Sequence, residues 1–217
     1  MNKIPFSVYD FFAYLSSGGL IVAAVDYLFG YQWLEQDKLG TPMAILLIFL
    51  AYITGHIVAH FSSLFLEQFF IGKILKRPSS SLMGKKPSKI LGLLFPGYYR
   101  ALPKETQERI WNQAKNREFT GSGESLFLHA YSITSKDEKA QKRLDEFRNL
   151  YGFSRNLTLS FLLVALLFII AIIMKIQSIN PWWPLISFVF GVALLYRYLK
   201  FFRQYSYQLF ITYSELE

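Results

Sequence analysis

His56 and His60 stand four residues apart in an otherwise apolar stretch, and Ser63 and Glu67 follow them. At about 100° per residue along a helix, His60 falls roughly 40° from His56, Ser63 about −20° and Glu67 about 20°. The four share one narrow face of an ideal helix. Imidazoles at i, i+4 can hold one metal ion between them. A row of His, Ser and Glu inside a membrane can also relay protons or line an ion path. The structural alternative is a pair of neutral imidazoles hydrogen-bonded across a helix interface. All three readings stay open, although a catalytic zinc needs a third protein ligand. The third histidine, His129, lies outside the apolar stretches. Asp26, the other charge within an apolar stretch, differs from His56 in depth by about 10 Å on the helix rise. No metal and no cofactor is assigned.

Other chemistry is poorly supplied. The chain has no Cys, which excludes disulfides, thiolate-bound zinc, iron–sulfur clusters and a thiol nucleophile. It contains no nucleotide-binding glycine motif, no G-x-S-x-G and no H-E-x-x-H. Gly121-Ser-Gly123 before Glu124 is too short for a phosphate cradle and reads as a linker.

The elements that must carry these residues are membrane helices. Of 217 residues, 53% are hydrophobic and 18% charged. The mean hydropathy of +0.26 is high for a chain with an ordinary water-facing surface. A membrane helix needs about 20 mostly apolar residues, and four stretches qualify: 11–31, 43–65, 157–176 and 182–202. The first reads as a span rather than a cleaved signal peptide. Its only flanking base is Lys3, Asp10 follows, and the apolar run exceeds the usual length of about 7–15 residues. The expected fold is all-α and polytopic, with four transmembrane helices and a mostly helical basic loop. Its segments are a first helix pair over 1–75, the basic region over 76–155, a second pair over 156–202 and a helical tail over 203–217.

Lys and Arg set the orientation. Residues 76–155 hold 16 of the 23 basic side chains and 8 of the 15 acidic ones. The connection over 32–42 has Glu35, Asp37 and only Lys38, and the connection before Trp182 has only Lys175. The positive-inside rule then places both termini and the basic loop in the cytoplasm of a cell with a multi-pass inner-membrane protein. Trp33, Trp182 and Trp183 fall at the outer interface, as an aromatic belt would.

Within the basic loop, Lys85, Lys86, Lys89 and Arg100 alternate with apolar residues and with Tyr98 and Tyr99. Such a segment suits an anionic lipid surface, an acidic protein partner or, less readily, nucleic acid. Pro103 opens a helix through Lys115, 120–123 breaks it, and the Ser135/Glu138 spacing fits a capping box for a last helix that feeds into the third span. Small-residue rows, Gly19 and Ala23 in the first span and Ala51, Gly55 and Ala59 in the second, allow close helix approach within the chain or between copies. Glu67 should reach the depth of Arg155, Asn156 and Arg197, and pair with one of the two arginines.

The opening Tyr9-Asp-Phe-Phe-Ala-Tyr-Leu15, the run Ala51-Tyr-Ile-Thr-Gly-His56 and Tyr151-Gly-Phe-Ser-Arg-Asn156 resemble a loose group of small bacterial inner-membrane proteins, many of which sit beside anti-phage defence genes. The plan is also similar to the four-span membrane subunits of two-gene defence systems such as Kiwa, and to membrane accessories of CRISPR loci. The resemblance implies a membrane-resident sensor or effector that works with a soluble partner, and it carries over no catalytic residue. The expected function is a non-enzymatic, homo-oligomeric defence component in contact with membrane lipids and a cytoplasmic protein. The alternatives are an intramembrane His-based metalloenzyme acting on lipid, and a plain anchor that docks a soluble protein.

Overall fold

The structure, a computed structural model, describes residues 8–34, 40–176 and 179–216, with side chains from Phe11 onward. Lys3, the side chain of Asp10 and the loop charges Glu35, Asp37 and Lys38 lie outside the described residues. The described chain is all-α. Four of its helices are long and apolar enough to cross a membrane, which makes the architecture polytopic.

The chain divides into two compact units: Met1–Glu67 with Gly152–Tyr198, and Gln68–Tyr151 with Leu199–Glu217. These bounds differ from the segments read in the sequence. Residues 68–75 and 199–202, read in the sequence as parts of the helix pairs, fall with the basic loop, and so does the tail read over 203–217.

In the first unit, α1 (Val8–Phe29) packs against α2 (Thr41–Ser62). The contact is backbone on backbone. A Cβ built on Gly18 would lie 1.8 Å from the Ala51 carbonyl oxygen, and one on Gly55 would lie 1.9 Å from that of Tyr14. Close approach therefore uses Gly18 and not Gly19, whose Cβ would meet only the Ala51 side chain at 3.9 Å. Ala51 is buried in this contact, whereas Ala23 and Ala59 are half-buried. The third long helix, α7 (Glu138–Ile173), packs Val164, Phe168 and Ala171 against Ala24 and Leu28 of α1, and Ser160 Oγ donates to the Ser17 carbonyl at 2.9 Å. It ends in a Schellman motif. Lys175 takes φ +53°, and the amides of Lys175 and Ile176 bond the carbonyls of Ile172 and Ala171.

From Ser63 to Leu75 the second long helix continues as a π-helix, which turns less per residue than an α-helix. Lys76 then takes φ +67°, and Pro78 opens the next short helix.

In the second unit, α3 (Pro78–Leu82), α4 (Lys89–Leu94), α5 (Lys104–Asn116) and α6 (Glu124–Thr134) precede the start of α7. Pro103 caps α5, whose first turn bonds its carbonyl. The cap of α7 is Asp137, not Ser135: Asp137 Oδ1 accepts from the Ala140 amide at 2.8 Å. Ser135 is still engaged in the end of α6, its amide bonding the Tyr131 carbonyl. The last helix, α8 (Trp182–Glu215), brings Leu209, Phe210 and Tyr213 into a core with Leu82, Leu102, Ile110, Leu126 and Leu144. The helical tail read over 203–217 thus completes the hydrophobic centre of the basic unit.

Candidate functional site

The polar residues of the second long helix do not stay on one face. His56 is half-buried, its ring stacked on Tyr14 of α1 at 4.0 Å and edge-on to Tyr52 at 4.6 Å. His60, one turn on, has drifted outward and is exposed, with its ring edge on Phe61. The drift is what the roughly 40° offset between i and i+4 produces once the helix interface is narrow. At Ser63 the winding changes to π, so Glu67 is not placed where an ideal α-helix would put it.

Glu67 instead joins a network between the second and third long helices. Arg155 Nη1 forms an ion pair with Glu67 Oε2, and Arg155 Nε donates to Ser62 Oγ at 3.1 Å. Ser62 Oγ lies 2.7 Å from Asn156 Oδ1 and 2.9 Å from the Ala59 carbonyl. Ser62 and Asn156 are buried, and the Arg155 and Glu67 side chains are 15% and 26% exposed. Arg155 rather than Arg197 takes the carboxylate, and Arg197 is exposed on α8. The serine in the network is Ser62, which the sequence reading passed over for its half-buried neighbour Ser63. Adjacent serines differ by one position on the helix, and only the packing of α7 tells them apart. The network holds opposite charge and matched donors in a shielded place, which suits locking two helices together.

Asp26 has a local task. Its carboxylate accepts from the amides of Trp33 at 2.9 Å and Leu34 at 3.2 Å, while its carbonyl accepts from Tyr31. Gly30 at φ +64° and Gln32 at φ +55° turn the chain back so that these donors converge. Asp26 thereby satisfies the turn after α1 and does not meet His56. Among the described residues no three His, Asp or Glu side chains gather as a metal-ligand set.

Tyr98 and Tyr99 do not face outward with the lysines. Tyr98 Oη donates to the Lys76 carbonyl at 2.9 Å and Tyr99 Oη to the Leu75 carbonyl at 2.7 Å. They satisfy two of the carbonyls left open where the π-helix ends. Burial, and secondarily the neighbouring Tyr99, raises the Tyr98 phenol well above the usual tyrosine range, with Arg77 working against them. Burial also raises Tyr99. Lys85, Lys86, Lys89 and Arg100 are exposed. Beside the lysines, α4 shows Ile90, Leu93 and Leu94 to the surroundings, 72%, 82% and 50% exposed. Phe95 sets this basic, apolar turn edge-on against Phe70 of the π-helix.

The fold and this network define an all-α polytopic membrane protein with a basic helical unit. The chain matches no protein-family model, no curated protein and no solved structure.

Proposed function

We propose that the chain is a non-enzymatic component of a bacterial defence system, seated in the inner membrane with both termini and the basic unit in the cytoplasm. It assembles with copies of itself and works with a cytoplasmic protein. The observation that carries this reading is His60, exposed on α2 beside the exposed Ile57, Phe61 and Phe65. An imidazole facing hydrocarbon loses its hydrogen bonds to water, and ionisable groups in spans face protein or water instead. A second copy of the chain supplies that protein surface. The closed core of the basic unit supports a defined docking body for the partner, and the defence setting follows from the resemblance.

The test is the mass of the detergent-solubilised particle, corrected for bound detergent, for wild type and His60→Leu. The expected result is a defined wild-type homo-oligomer that shifts toward monomer in the variant. A monomeric wild type overturns the assembly. For the defence role, phage challenge of cells carrying the gene with its neighbours should show protection that His56→Leu/His60→Leu reduces. Full protection by the double variant at normal expression removes the histidines from the function.

A further inference from the structure

The second unit contains a cavity of about 440 Å³ where the π-helix ends, lined among others by Lys73, Lys76, Arg77, Ser79, Ser80 and Glu124. Three cationic residues and one carboxylate line it; Arg77 pairs with Glu124, and the Lys73 ammonium rests over the Phe69 ring, 5.7 Å from its centroid. Ser79 is 2% exposed and its hydroxyl has no hydrogen-bond partner, although Ser81, two residues on, is satisfied by the Pro78 carbonyl at 3.0 Å. A buried hydroxyl without a partner is destabilising, so this one calls for an acceptor or donor from outside the chain.

The cavity also receives the start of α6, an 11-residue helix whose cap, Gly123, makes no side-chain hydrogen bond to its first turn. Gly123 has φ +62°, and a Cβ there would lie 3.0 Å from Ser80 Oγ. A side chain at this φ would be strained and would press on the Ser80 hydroxyl, which favours a glycine here. The first-turn amides and the helix dipole favour an anion. Arg77 already holds one, Glu124 Oε1 at 2.5 Å, in a pair whose side chains are 48% and 55% exposed. An exposed pair of this kind is weak and exchangeable.

We propose that this cavity binds a phosphate monoester. Its oxygens accept from Arg77 and the two lysines, Ser79 supplies its unused hydroxyl, and Glu124 gives up Arg77 to the incoming anion. A dianion matches the excess of two positive charges among the lining side chains. Phosphate geometry also suits the planar arginine fork. Lys73 lies in the last turn of a helix long enough to cross a membrane, which puts a lipid headgroup within reach, and a soluble phosphorylated molecule offers the same chemistry. The assignment does not depend on the defence reading.

The experiment uses the full chain in detergent and has two arms. In one, glycerol 3-phosphate is titrated and thermal stability followed. In the other, micelles are doped with phosphatidic acid or, as control, phosphatidylcholine, and retained lipid is counted by native mass spectrometry. Saturable binding in the first arm identifies a soluble monoester, and selective retention of phosphatidic acid identifies a lipid. In either arm, Arg77→Gln and Ser79→Ala should weaken binding about tenfold or more. Glu124→Gln should tighten it severalfold, an effect of opposite sign that general damage to the fold does not produce. Absence of binding in both arms, or binding indifferent to all three substitutions, overturns the proposal.

Discussion

Gly18 and Gly55 face each other across α1 and α2 so closely that a Cβ on Gly18 would stand 2.4 Å from the Gly55 amide nitrogen. Both obstacles are backbone, which cannot rotate away. Forcing an extra methyl into such a contact costs about 1–3 kcal/mol or more. Gly18→Ala and Gly55→Ala should each lower the melting temperature of the purified protein, and Gly19→Ala should leave it nearly unchanged. Equal effects at 18 and 19 would contradict the interface.

The second prediction separates two adjacent serines. Ser62 sits between Arg155 and Asn156, so Ser62→Ala removes the acceptor of Arg155 Nε and leaves Asn156 Oδ1 only the long contact from Arg155 Nη2 at 3.5 Å. Its cost should be about 1–3 kcal/mol, while Ser63→Ala should change stability by less than about 0.5 kcal/mol. Glu67→Ala should be worse than Ser62→Ala, because it leaves the Arg155 charge without its counter-ion. The exchange Glu67→Arg/Arg155→Glu should recover part of that loss. These values are readable from unfolding in mixed micelles.

The four spans were legible because their signal is composition sustained over about 20 residues, and so was the start of α5 at Pro103. The Glu67–Arg155 pairing could be read from depth, since two opposite charges at like heights in apolar surroundings have few other partners. What escaped was anything that depended on winding or on sequence-distant packing. The π-helix from Ser63 rotates Glu67 off the assumed face. Tyr98 and Tyr99 read as surface aromatics because the carbonyls that they cap lie 22 and 24 residues earlier in the chain. The helix over 124–134 did leave a trace, in Leu126, Ala130 and Thr134 at helical spacing, hidden behind the glycines before it.

Tyr98 gives a pH prediction. Its phenol is raised in the folded chain by burial, whereas in the unfolded chain it ionises near pH 10. The folded state therefore keeps its proton after the unfolded state has lost it. The stabilisation is fully present below about pH 10 and falls progressively as pH rises from there toward the folded value. Wild type should lose melting temperature more steeply between pH 9 and 11 than Tyr98→Phe. At pH 8 the same substitution should cost about 1 kcal/mol, from the unsatisfied Lys76 carbonyl. Parallel curves for the two proteins would show that the phenol is not shielded.

Asp26 supplies the last prediction. A carboxylate inside an apolar stretch suggests ion passage or catalysis, but here both oxygens are taken by the amides of Trp33 and Leu34. Its removal should act on the turn and not on chemistry. Asp26→Asn retains one carbonyl oxygen and should preserve part of the cap. Asp26→Ala leaves two amides without an acceptor and should cost about 1.5–3 kcal/mol, the range for hydrogen bonds to a charged group. Hydrogen exchange localises the effect: the amides of 31–34 should lose protection in Asp26→Ala, with those of 138–151 in α7 unchanged. If instead Asp26→Asn matched Asp26→Ala in stability while both abolished protection from phage, the charge itself, and not the cap, would be what the protein uses.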